Sequence, residues 1–224
     1  MDLTSKNIQN HVAEFKDLMN LSPINEQSIK KAVGYFAYRD ACRTFTGIKE
    51  YGTAKDDAIE EIEKELCNYF GVGSASTAPK SKEGFDDEHE KLCNLWCDKF
   101  KDDDNLSRYG KAQKIINMSF KYLYCCSDAE KYRDYFKCCH MPLDSNTLGW
   151  IVKVLKIDKK KVCAWSKLQK TGDKSDGCFE ENGKRYYCYD YYVERVREYL
   201  NKQNNICSPL ELEFVVWEDM TQKH

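Results

Sequence analysis

RYGKAQKIINMSFKYLYCC runs from Arg108 to Cys126, and within it Ala112, Ile115, Ile116, Phe120 and Leu123 recur at steps of three and four residues. That period belongs to a helix with one apolar face, predicted here over Ser107 to Cys126. Gln113, Asn117 and Lys121 are spaced four apart, so they stack on one side of the same helix, with Lys114 flanking them. Amide side chains both donate and accept, and lysine adds positive charge, so the stripe has the chemistry to hold a phosphate, a base edge or a carboxylate. The same residues would serve equally as a polar stripe facing water, or as a buried network tying helices together.

The flanking sequence repeats the helical period. Upstream, Ile8, Val12, Phe15, Leu18 and Met19 predict a helix over Thr4 to Asn20, and Asn25 caps a second that carries Arg39, Asp40 and Arg43 towards Gly47. A third covers Thr53 to Phe70. Residues 71–84, GVGSASTAPKSKEG, are small, polar and aperiodic, which predicts a flexible loop. A fourth helix holds Leu92, Trp96 and Phe100. Downstream, Ser127, Asp128 and Glu130 predict a capped sixth helix ending near His140, because Pro142 cannot continue it. Asp144 caps a seventh, a short eighth covers Lys159 to Lys170, and a ninth holds Val193, Val196, Tyr199 and Leu200. Asn182-Gly183 suits a two-residue turn in a small β-hairpin near 178–188. The tail SPLELEFVVWED alternates like a strand but starts like a helix, and helix is the reading adopted. The fold class expected is therefore all-α in the main: one helical domain over 1–224, with eight to ten helices and at most one hairpin.

Composition narrows the class further. The chain has 224 residues, 42% hydrophobic and 13% aromatic, with few prolines and glycines, which excludes collagen-like, mucin-like and globally disordered chains. No run approaches the roughly 20 apolar residues of a membrane helix. The start MDLTSKNIQN lacks the order of a secretory signal and no lipidation motif is visible, so a soluble, cytoplasmic protein is expected. In a reducing compartment its 12 cysteines are expected to be free thiols. A structural zinc is the minority alternative and no other cofactor is implied. His89, Cys93 and Cys97 share a helical face, but the outer two lie about 12 Å apart along the axis, too far for one ion. No Cys-x-x-Cys pair is present.

The net charge of −2 conceals two opposed blocks. Glu50 to Asp104 holds 16 acidic and 7 basic residues, whereas Asn105 to Lys174 holds 15 basic and 6 acidic. If the fold keeps them apart, the second block offers an anion-binding surface; if they pack together, they neutralise. Lys153, Lys159, Lys160 and Lys161 lie in the basic block with Trp150 and Trp165 nearby, a mixture able to grip a phosphate backbone and stack on bases. P-loop and dinucleotide-binding glycine patterns are missing. Tyr186, Tyr187, Tyr189, Tyr191 and Tyr192 crowd the approach to the ninth helix, as a protein-recognition surface or as ordinary packing.

The stretch from Tyr109 to Cys125, followed by CHMPLDS at Cys139 to Ser145, resembles a pattern found in uncharacterised helical proteins of bacteria and their mobile elements, YGxAQKxxNxxxKYLYC…CHxPxDS. FAYRDACRTFTGI, Phe36 to Ile48, resembles the same group. The resemblance covers about a fifth of the chain, and its most specific part is the Ala-Gln-Lys…Asn…Lys-Tyr-Leu core. It transfers no activity, but it draws attention to His140 and Asp144 along with Gln113 and Asn117.

Three functional expectations follow. The first is a non-catalytic bacterial or phage protein that contacts nucleic acid or a nucleoprotein, with Lys114, Lys121, Lys153, Lys159, Lys160 and Lys161 on phosphates and Gln113 and Asn117 as polar readers. The second is an enzyme acting on a phosphorylated or nucleotide substrate, with His140 as base, Asp144 orienting it, and Arg39, Arg43 and Gln113 walling the pocket. In the bland version of that pair, Asp144 merely caps a helix and His140 packs. The third is a protein-interaction module using the acidic block or the tyrosines.

Overall fold

In the computed structural model the described residues are 5–19, 21–45, 52–79, 81–170, 177–203 and 208–221. They form helices α1 (Ser5–Met19), α2 (Glu26–Lys30), α3 (Tyr38–Cys42), α4 (Gly52–Phe70), α5 (Lys82–Lys99), α6 (Tyr109–Tyr124), α7 (Arg133–Phe136), α8 (Ser145–Val154), α9 (Cys188–Asn201) and α10 (Pro209–Thr221). A π-helical segment, Lys31–Ala37, joins α2 to α3 in one continuous rod. Among the described residues the only sheet is an antiparallel pair, β1 (Cys178–Glu181) and β2 (Lys184–Tyr187), so the chain is mainly α with one small hairpin.

Local chemistry explains most boundaries. Asn25 and Asp144 each close a capping box on the residue three positions on, Ser28 and Thr147. Ser208 caps α10, accepting from the Glu211 amide, which settles the ambiguous tail as helix. In the hairpin, Asn182 and Gly183 both take positive φ, as a two-residue turn matching the strand twist requires.

α6 lies at the centre, and every residue from Tyr109 to Leu123 is buried. It packs against the π segment, α2, α3, α5 and the short helical turn Trp165–Lys167. α4 leans on α5 and α2, while α10 closes another side against α1, α8 and α9. The buried apolar side chains form one cluster running from Ile8 to Val216. Aromatic rings knit it: Phe36 stacks on Tyr122 at 5.0 Å, and Tyr69 meets Phe120 edge-on at 5.2 Å. Each such ring contributes about 1.5–3 kcal/mol by leaving water.

Several expectations shift in detail. Helix α5 begins at Lys82 on the Ser81 cap, so the end of the predicted loop is helical. Residues 71–79 fold back on α4, with the Val72 and Thr77 amides bonded to the Cys67 and Asn68 carbonyls. The predicted sixth helix is reduced to a 3-10 turn, Ala129–Tyr132, followed by α7. Asp128 does not cap it; its carboxylate accepts from the Ile24 amide at 2.7 Å, tying that turn to the segment before α2. The predicted eighth helix is two separate 3-10 turns, Lys159–Lys161 and Trp165–Lys167. Here the chain is pulled onto α6 rather than coiled on itself, with the Gly110 amide bonded to the Leu168 carbonyl at 3.0 Å.

That contact depends on a glycine. A Cβ on Gly110 would sit 1.8 Å from the Trp165 carbonyl oxygen and 3.2 Å from the Leu168 side chain. Gly110→Ala is therefore expected to cost about 1–3 kcal/mol by forcing the 165–168 turn off α6. Urea denaturation checks it; an unchanged midpoint would contradict this packing.

Candidate functional site

The polar stripe of α6 faces inward and clamps the segment that leads into α8. The Gln113 amide pairs with the backbone of Leu143, donating from Nε2 to its carbonyl at 2.8 Å and accepting at Oε1 from its N–H at 3.2 Å. Asn117 donates to Gln113 Oε1 at 3.0 Å and to the Met141 carbonyl at 3.4 Å. On its other side, Asn117 Oδ1 meets His89 Nε2 at 2.9 Å.

From His89 the network continues across three helices. His89 Nδ1 lies 3.0 Å from the Tyr109 hydroxyl, and the Tyr189 hydroxyl lies 3.2 Å from His89 Nε2 and 2.8 Å from His140 Nδ1. His140 Nε2 meets Asp86 Oδ1 at 2.7 Å. Arg197 grips both Asp86 oxygens, at 2.6 and 2.7 Å. These partners assign each ring proton to Nε2, donated to Asn117 by His89 and to Asp86 by His140, while each Nδ1 accepts from a tyrosine.

Burial sets the charge state. It pushes His140 down to about 4, against the pull of the Asp86 carboxylate, and drives His89 well below its ordinary value. Burial alone would raise Asp86, but its hydrogen bonds with Arg197 and His140 outweigh that and hold the carboxyl well below its usual range. His140 is thus a neutral core histidine, 1% exposed, with both ring nitrogens engaged.

The structure joins His140 to Gln113 through Asn117 and Tyr189, but it separates His140 from Asp144. Asp144 caps α8, bonding the Asn146 and Thr147 amides at 2.9 and 3.1 Å, and its other oxygen faces Lys114 at 3.8 Å. There it joins a second constellation. A cavity of about 240 Å³ is lined by Phe15, Asp40, Arg43, Lys114, Met118, Lys121, Tyr122, Asp144, Glu213 and Trp217. Four residues singled out from sequence meet in it: Arg43, Lys114, Lys121 and Asp144. Lys121 pairs with Glu213 at 2.6 Å, both almost fully buried, and its ammonium lies under the Phe15 and Phe214 rings at 4.7 and 4.9 Å. Arg43 bonds Asp40 at 3.0 Å, and the Tyr122 hydroxyl donates to the other Asp40 oxygen. Arg39 stays outside, exposed and bonded to the Tyr35 hydroxyl at 3.0 Å.

The remaining lysines divide by partner. Lys161 pairs with Glu181 at 2.8 Å and lies over the Phe179 and Tyr191 rings. Lys153, Lys156, Lys159, Lys160 and Lys167 are exposed. Of the tyrosine cluster, Tyr189 and Tyr192 are core residues. Every described cysteine is a free thiol, and among the described residues no group of three or more His, Cys, Asp or Glu could hold a metal ion. No described helix is long and apolar enough to cross a membrane.

The sequence reading missed Asp86, Arg197 and Glu213, and it placed Asp40 on its helix without a role in a site. Asp86 is one of three successive acids, with Asp87 and Glu88, near the start of α5, so nothing in the sequence sets it apart. Glu213 did carry a signal, since it sits inside the apolar run Leu212 to Val216. No protein-family model, curated protein or solved structure matches the chain.

The network predicts acid sensitivity of definite sign. The unfolded chain binds a proton at each histidine near pH 6.5, whereas folded His140 resists it until about 4. Stability should therefore fall as the pH drops through that interval, and Asp86 extends the loss at lower pH. An NMR titration of the imidazoles checks the cause: His140 should stay neutral down to about pH 4, and a midpoint near 6.5 would refute the buried network.

Proposed function

We propose that the protein is a non-catalytic, cytoplasmic binding protein of a bacterium or its mobile elements, and that it contacts nucleic acid with the lysines at and after the end of α8. One observation carries this reading. Lys153, Lys156, Lys159, Lys160 and Lys167 lie within fifteen residues, all exposed, and none forms an ion pair with a described residue. Other cations of the basic block are withdrawn. Lys111, Lys114 and Lys121 are internal, and Lys131, Arg133, Lys137, Lys161 and Lys170 face carboxylates. Half-buried Trp165 lies beside the five free lysines in sequence and offers a stacking surface. Clustered unpaired ammonium groups release counterions when they meet phosphates, which gives affinity without sequence readout.

Gln113, used by both the nucleic-acid and the enzyme readings, and Asn117, used by the first, favour neither, because both are spent on backbone and core partners. A closed, neutral His140 favours the non-catalytic reading over the one with a histidine base.

The test is fluorescence anisotropy with labelled duplex DNA and single-stranded RNA across a salt series. Binding at 50 mM salt is expected, with log affinity falling against log salt at a slope approaching about −4.5 on duplex if all five lysines engage. Lys159→Glu with Lys160→Glu should weaken it at least tenfold and leave the melting temperature unchanged, since both side chains are exposed. No binding at 50 mM salt would overturn the proposal.

A further inference from the structure

The cavity beside α6 uses none of the five free lysines, and its chemistry stands apart from theirs. Its lining holds three cations, Arg43, Lys114 and Lys121, and three anions, Asp40, Asp144 and Glu213. Some of these charges are spent on each other. Asp40 has both oxygens occupied, by Arg43 and by the Tyr122 hydroxyl. Asp144 Oδ1 is spent on the two amides of its cap.

Other groups keep unused capacity. Lys114 is 8% exposed, yet its ammonium makes no hydrogen bond to a described residue; its nearest acid is Asp144 Oδ2 at 3.8 Å, and it lies over the Trp165 ring at 4.8 Å. Lys121 faces Glu213 Oε2 at 2.6 Å as an ion pair, and that buried oxygen has no well-aligned hydrogen bond to a described residue. So the cavity presents unspent donors on two lysines and unspent acceptors on two carboxylates, all held by rigid helices or a helix cap.

Charge balance then selects the ligand. A simple anion would leave the lining with one uncompensated negative charge, and a simple cation with one positive, beside the mostly buried Lys114, Lys121 and Glu213. A zwitterion meets both sets and leaves the balance at zero. The volume, about 240 Å³, equals the share of about eight waters at roughly 30 Å³ each. That is the scale of an amino acid. Phe15, Met118 and Trp217 supply apolar wall for a side chain.

We propose that this cavity binds a small zwitterion of amino-acid size with an apolar side chain. Its anionic group sits between Lys114 and Lys121, and its ammonium faces Asp144 Oδ2 and the Glu213 carboxylate. Trp217, one of the lining residues, is 45% exposed.

Isothermal titration of the full chain tests it, with L-leucine, L-methionine and L-phenylalanine as probes. Each is compared with its N-acetyl form, which keeps only the anion, its amide, which keeps only the cation, and inorganic phosphate. Saturable binding of at least one free amino acid is expected, with both blocked forms and phosphate at least tenfold weaker. Asp144→Asn keeps a capping oxygen while removing the charge. It should weaken the amino acid at least tenfold and the N-acetyl form less. Lys114→Gln should weaken both. No binding by any of the three amino acids at millimolar concentration would overturn the proposal, and so would equal affinity for a blocked form or for phosphate.

Discussion

Helix α6 is buried on every side although it carries three lysines, a glutamine, an asparagine and a serine. A solvent-facing helix hands such groups to water; a surrounded one must satisfy them from its neighbours, because an unpaired polar group costs about 1–3 kcal/mol and an unpaired charge more. The surrounding architecture reads as the set of partners this requirement recruits. Gln113 and Asn117 fix the non-helical segment 141–143, Lys111 reaches Asn105 at 2.6 Å, Ser119 bonds back to the Ile115 carbonyl, and Lys121 draws Glu213 into the core. α5, α9 and α10 are thereby held by polar links as well as by packing.

Those links differ in what they contribute. The buried Lys121–Glu213 pair gains little over a well-packed apolar pair, since both ions lose their hydration, yet losing either partner would strand the other at a cost of about 3–5 kcal/mol. Its effect is to fix where α10 sits on α6. The His89–Tyr189–His140–Asp86 chain is neutral until it reaches the Asp86–Arg197 pair near the surface, which keeps the desolvation cost small inside and places the charge where water assists it. In the cavity beside α6 the described partners leave groups half-satisfied, Lys114 above all.

Much of this was legible in the sequence, and the failures share a cause. Asn25, Asp144 and the Asn182–Gly183 turn act within a few residues, so pattern alone located the helix starts and the hairpin. Asp128 and the 159–170 segment were misjudged because their partners, Ile24 and Gly110, lie far along the chain and outweigh local preference. The Gln113, Asn117 and Lys121 stripe was visible as a stripe, but a polar face turned to water and one turned to another helix have the same period. Likewise His140 and Asp144 are four residues apart and suggested a pair, whereas Gln113 and Asn117 hold the intervening non-helical residues and the two side chains go to different partners.

Hydrogen–deuterium exchange of α6 tests the central claim most directly. If the helix is surrounded and its polar groups are satisfied internally, the amides of residues 113–124 should exchange only by global unfolding, with protection equal to the highest in the chain. Exchange of those amides by local opening, at least about a hundredfold faster than in α4 or α5, would contradict a structure organised around a buried polar helix.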